Sequence, residues 1–231
     1  MRFLCSYLIY ILLFSGYSSY ALKTKKITIS FVPLIDSILL TPTYNNILYQ
    51  SGDSLTIETF RFYISDIKFC NNNQSVWTEP ASFHLIDASV PASLILEFDI
   101  PYNIKSNEIQ FHLGIDSFTN VSGVKGGDLD PSKGMYWTWQ SGYINFKLEG
   151  TSKRCPNRKN EFQFHLGGYA SAFSTLQNIT LKTPPAENIY INTNIARFLY
   201  GIDITKQYSI MIPGLQAVEL SQLAAGIFSI R

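Results

Sequence analysis

The chain has 231 residues, of which 46% are hydrophobic, 14% aromatic and only 15% charged, with a formal net charge of +1. So near-neutral a chain gives no electrostatic ground for binding nucleic acid or an anionic membrane surface. Its length fits one all-β domain more economically than two small ones, and its β-branched and aromatic content favours sheet over helix.

At the N-terminus, Arg2 precedes the apolar run from Phe3 to Phe14, which is too short to span a bilayer, and the small-residue stretch Ser19-Tyr20-Ala21 follows. This is the pattern of a secretory signal peptide over residues 1–21, cleaved after Ala21. Cleavage removes Arg2, leaving a neutral single domain over residues 22–231, with no integral membrane segment and a periplasmic or secreted location. Cys70 and Cys155 then remain, and an exported pair of cysteines either bridges or stays as two thiols; spacing alone does not choose.

Along the chain, Ile27, Ile29 and Phe31 alternate with polar residues and predict a first strand ended by Pro33. Residues 41–53 read as a loop holding a short strand. From Leu55 to Phe69 the apolar phase slips near Ser65-Asp66, which predicts a bulge. Short strands are expected at Phe83–Asp87 and from Leu94 to Phe98. Glu108-Ile109-Gln110-Phe111-His112-Leu113-Gly114 recurs nearly unchanged as Glu161-Phe162-Gln163-Phe164-His165-Leu166-Gly167. In each copy alternation puts the histidine in the phase opposite to the apolar side chains.

Residues 115–135 form a Gly- and Asp-rich loop, long enough to suggest function. It leads into Met135-Tyr136-Trp137-Thr138-Trp139-Gln140-Ser141-Gly142-Tyr143. Read as extended, this stretch puts both indoles on one face, bends at Gly142 and continues with Ile144, Phe146 and Leu148 inward. Residues 151–160 make a polar hairpin tip. Strands follow near Ile179–Leu181 and Ile189–Ile191, then a helical turn or two from Thr193 to Leu199 capped by Asn192, and a short amphipathic helix from Leu215 to Ala225. The expected architecture is all-β, an antiparallel β-sandwich with one or two short helices near the C-terminus.

Three histidines, His84, His112 and His165, are the natural candidates for metal ligation, since neutral imidazole is the commonest nitrogen donor. None has a neighbour at His-x-His spacing, and each taken alone reads as a histidine hydrogen-bonded on the sheet. Indole has an N–H but no in-plane lone pair, so Trp137 and Trp139 can serve as conventional ligands only after oxidative ring opening to kynurenine, which creates an aniline nitrogen. Asp116, Asp128 and Asp130 have the oxygen chemistry of a calcium site, but without regular spacing they read as turn formers. No nucleophile elbow, phosphate loop, zinc-protease or Cys-x-x-Cys motif occurs, and no acid/base pair stands out, so the chain is not expected to be an enzyme.

Gly114-Ile115-Asp116, Gly127-Asp128-Leu129-Asp130-Pro131, the Trp137-x-Trp139-x-Ser141-Gly142-Tyr143 element and Phe164-His165-Leu166-Gly167-Gly168 together resemble the MbnP-like family. Weaker likeness runs from the first strand through His84-Leu85-Ile86-Asp87 to the last residues. The resemblance implies exported copper-binding proteins associated with methanobactin or methanotroph copper uptake. It also implies an all-β fold, and a copper site of histidines and a tryptophan oxidised to kynurenine by a di-haem peroxidase-like partner. It points to His165 as one ligand and to Trp137 or Trp139 as the modified residue. The family commonly carries Asn-His where this chain has Asn120-Val121, so the second imidazole would come from His84 or His112; His84, in its family-like setting, is the preferred choice, and His112 reads as incidental. The alternative is an aromatic platform of Trp137, Trp139 and Tyr143 for a glycan or peptide, on a metal-free version of the same fold.

Overall fold

The computed structural model describes residues 23–40, 54–139 and 142–231, together with the backbone of residues 47–48. The expected leader, and Gln140 and Ser141 of the aromatic stretch, lie outside the described residues.

Two sheets face each other. The larger is organised by the strand Ser54–Asn71, whose phase slip is a true bulge. The ladder to its neighbour shifts between Ser65 and Lys68, and Asp66 takes a left-handed φ of 52°. One edge of this strand pairs first with Gly142–Ser152, from Leu55↔Ser152 to Phe62↔Phe146, and then with Glu108–Leu113, from Ile64↔Leu113 to Cys70↔Glu108. The opposite edge takes Phe83–Asp87 and Gln74–Thr78.

The sheet therefore forks at residues 62–64. One branch continues from Gly142–Ser152 to Glu161–Gly167, and the other from Glu108–Leu113 to Gln177–Lys182. Asn145 fills the fork. Its Oδ1 accepts the Ile115 N–H at 2.9 Å, and its Nδ2 donates to Thr175 Oγ1 at 2.9 Å. Gly114 is obligatory beside it, with φ of +113° and a Cβ position only 2.4 Å from Asn145 Cγ. The helix Leu215–Ala225 packs across both branches, and Gln177 Nε2 donates to Ser221 Oγ at 2.9 Å.

In the smaller sheet the first strand, Thr24–Ile35, is central. It runs parallel to Asn188–Asn194 and antiparallel to Ile95–Pro101 and Ile38–Leu39, and Phe228–Ile230 closes one edge. Pro33 does not end the strand as expected. Its carbonyl accepts the Leu40 N–H, so its nitrogen faces the same side, beyond the end of Ile95–Pro101 opposite Ser30, and the parallel ladder to Asn188–Asn194 needs no N–H from it. Phe31, Phe62, Phe111 and Phe228 meet edge-on between the sheets, with centroids 5.4–6.3 Å apart.

The sandwich is mixed rather than purely antiparallel, because both Asn188–Asn194 and Ser209–Ile210 join their neighbours in parallel. Of the three α-helices among the described residues, Ser117–Val121 lies mid-chain inside the expected loop. The helix Ile195–Tyr200 is capped by Asn194, whose side chain accepts the Ala196 N–H at 3.1 Å, and not by Asn192.

Candidate metal centre

The segment 115–139 folds back over the outer face of the larger sheet and builds a small core of its own from Ile115, Leu129, Met135 and Trp137, packed on Tyr63, Leu85, Tyr143 and Ile144. Ile144 therefore belongs to this outer cluster, and only Phe146 and Leu148 face the inter-sheet core. The residue between, Asn145, lies where the ladder to Glu161–Gly167 shifts, which reverses the phase of the strand.

Polar ties hold the segment in place. Asn120 is buried; its Oδ1 accepts the Tyr143 N–H at 2.9 Å and its Nδ2 donates to the Ile115 and Asp116 carbonyls. Tyr63 donates its hydroxyl to the Asp128 carbonyl at 3.0 Å, and burial pushes the phenols of Tyr63 and Tyr143 up. Asp116 caps Ser117–Val121, Asp130 caps the turn Pro131–Lys133, and Asp128 accepts the Leu85 N–H and pairs with Lys133. These aspartates serve as turn and cap residues.

The aromatic stretch is not one extended segment. Tyr136–Trp137 pairs antiparallel with Gly142–Tyr143, so the chain reverses and the two indoles receive different environments. Trp137 is 6% exposed and Trp139 60% exposed, with ring centroids 5.7 Å apart. The six-membered ring of Trp137 lies on Gly167, where a Cβ would come within 2.7 Å of it. Only glycine leaves room for the indole there.

His165 lies two residues before Gly167 on the same strand, and so on the same face. It is buried, and its Nε2 sits 2.7 Å from Glu149 Oε1. That hydrogen bond draws the Glu149 carboxyl down to about 2. A neutral ring that donates its Nε2 proton to Glu149 would present an Nδ1 lone pair to a metal. This is the carboxylate–imidazole arrangement that orients metal-ligating histidines. Across the strands His165 stands opposite Lys147, which stands opposite Arg61.

His84 lies elsewhere. It pairs with Ile64, faces the inter-sheet side edge-on to Phe98 at 6.2 Å, and is held by both Glu79 oxygens at 2.8 and 3.0 Å. The structure thus brings His165, Trp137 and Trp139 to one face and leaves His84 on the other. His112 shares the outer face but stands opposite Ser65, four residues and about 13 Å along the central strand from the row of His165. Among the described residues no three His, Cys, Asp or Glu side chains form a group able to hold one metal ion. Alternation with Phe146 and Leu148 puts Lys147 and Glu149 on the outward phase, but their meeting with His165 depends on strand register, which alternation does not encode.

The family model for MbnP matches residues 24–212. The chain belongs to the MbnP family. A solved structure, MbnP from Methylosinus trichosporium, superposes with a TM-score of 0.62 over 79% of this chain and 80% of that one, at 13% identity, which establishes the likeness of fold. A search of curated proteins finds no match. Within this MbnP-family chain, the unmodified residues around His165 provide one imidazole and one carboxylate, so copper fits here only with a further donor. A tryptophan converted to kynurenine would provide it at the same face.

Proposed function

We propose that this chain is an exported, non-catalytic copper-handling member of the MbnP family, in which His165 is the anchoring imidazole and an oxidised Trp137 or Trp139 supplies a second nitrogen. The observation that carries the reading is the grouping of a buried, carboxylate-oriented His165 with Gly167 and the two neighbouring indoles, tilted 43° to each other. Copper there would be held by borderline nitrogen donors, with Glu149 orienting the imidazole. The oxidation belongs to a separate enzyme of the di-haem peroxidase class, and the exposed Trp139 gives such a partner access to the indole pair. Export follows from the leader-like residues 1–21, and no described helix is long and apolar enough to cross a membrane.

The test is copper content after anaerobic Cu(I) loading of protein secreted by its native host. Stoichiometric copper is expected, lost in His165→Ala and retained in His84→Ala, whose ring faces the opposite side of the sheet. Protein that stays metal-free, or copper indifferent to His165, would sink the proposal.

A second reading rests on the exposure of Trp139, which suits stacking of a sugar ring or peptide side chain. Quenching of indole fluorescence by a glycan panel, abolished in Trp139→Ala with no metal present, would favour it.

A further inference from the structure

A cavity of about 580 Å³ lies beside the outer-face cluster, and the copper reading makes no use of it. Its apolar wall is Leu85, Val90, Ala92 and Leu96, and its polar side is built around Arg61 and Lys133. That volume lies within the range of small-molecule sites.

The distribution of hydrogen bonds decides the ligand class. Every acid at the cavity is already engaged. Asp87 accepts from the Ser89 N–H and hydroxyl and lies 2.7 Å from Arg61 Nε, and Asp128 accepts from Leu85 N–H and from Lys133. The hydroxyl of Ser93 is turned onto the Asp87 and Val90 carbonyls, and that of Ser132 onto Asp130.

The donors are not exhausted. Arg61 Nη1 gives one bond to the Lys133 carbonyl at 3.0 Å, one of the five N–H donors that the guanidinium carries. Arg61 Nε is buried, and its approach to Asp87 is too oblique to count as a hydrogen bond. Lys133 spends one contact on Asp128 and is 40% exposed. An ammonium has three protons to give, and a guanidinium presents a planar fork matched to carboxylate oxygens.

We propose that this cavity binds a small amphipathic carboxylate, with the acid group on Arg61 and Lys133 and the aliphatic body against Leu85, Val90, Ala92 and Leu96. The site is separate from the proposed copper site, since Arg61 is two strands from His165 with Lys147 between them.

The test is titration of the protein with sodium hexanoate, followed by NMR of the Leu85, Val90 and Leu96 methyl groups, with hexan-1-ol and hexylamine as controls. Saturable shifts at those methyls are expected with hexanoate, and binding of the alcohol and the amine weaker by at least about tenfold, as loss of a charged hydrogen bond implies. Lys133→Ala, at an exposed position, should weaken hexanoate several-fold while leaving copper loading unchanged, and Arg61→Lys, which keeps the charge but loses the fork, should weaken it as well. Equal binding of hexan-1-ol, hexanoate affinity unaffected by Lys133→Ala, or absence of shifts at these methyls would overturn the proposal.

Discussion

His84 leans on Glu79, His112 on Asp66 and His165 on Glu149, so three scarce imidazoles are distributed over three carboxylates rather than gathered into one constellation. They differ in what else surrounds them. For His112, burial dominates and pulls its pKa below the ordinary value; Asp66 and Asp116 pull the other way, and Lys68 reinforces the fall. The unfolded chain therefore binds more protons than the folded one once pH drops below about 6.5. Stability contributed by neutral His112 is complete above that pH and lost as pH falls through the interval down to the folded value. Denaturant midpoints between pH 7.5 and 5 should accordingly decline more steeply in wild type than in His112→Gln. If the two profiles run parallel, burial of this ring carries no proton linkage.

At the scale of elements, the hairpin that holds the indoles and the short helix Ser117–Val121 form one unit through Asn120, which joins the Tyr143 N–H to the carbonyls of Ile115 and Asp116. Asn120→Ala strands a buried N–H and two carbonyls. A loss of about 2–3 kcal/mol in unfolding free energy is expected, with a red shift of Trp137 emission as the hairpin loosens. Val121 beside it is 73% exposed, and Val121→Ala should stay within about 0.5 kcal/mol of wild type. A mild Asn120→Ala would mean that the outer cluster is held by its apolar contacts alone. The same unit marks the limit of the sequence reading. Period-two alternation put Trp137 and Trp139 together, and their rings do pair. Alternation is blind to chain reversal, however, so it missed the hairpin that buries one indole and exposes the other. Nor could it show that Gly167, remote in sequence, is the floor on which Trp137 rests.

At the scale of the whole molecule, strands with a clean apolar phase were legible. Glu161–Gly167 and Phe83–Asp87 fall where alternation puts them, and the bulge at Asp66 shows in the phase slip itself. What escaped was long-range: the parallel joins, the fork, and the side of the sheet on which each histidine lies, all of which depend on register between distant segments. The cysteines give the sharpest instance. The expectation of export leaves open a bridge between Cys70 and Cys155, and in the structure both are buried free thiols. Cys155 follows Ser152, which pairs with Leu55, while Cys70 lies 15 residues further along that same strand. At about 3.3 Å per residue the two are some 40–50 Å apart, against a limit near 7 Å between Cα atoms for a disulfide. Burial also pushes both thiols up, which keeps them protonated and slow to react. For a chain starting at residue 22, a chromogenic disulfide reagent should find almost no thiol in the native protein and two per chain in denaturant, and reductant should leave the melting temperature unchanged. A reductant-sensitive melt, or two thiols missing under denaturing conditions, would require the ends of the Ser54–Asn71 strand to meet, which this fold does not allow.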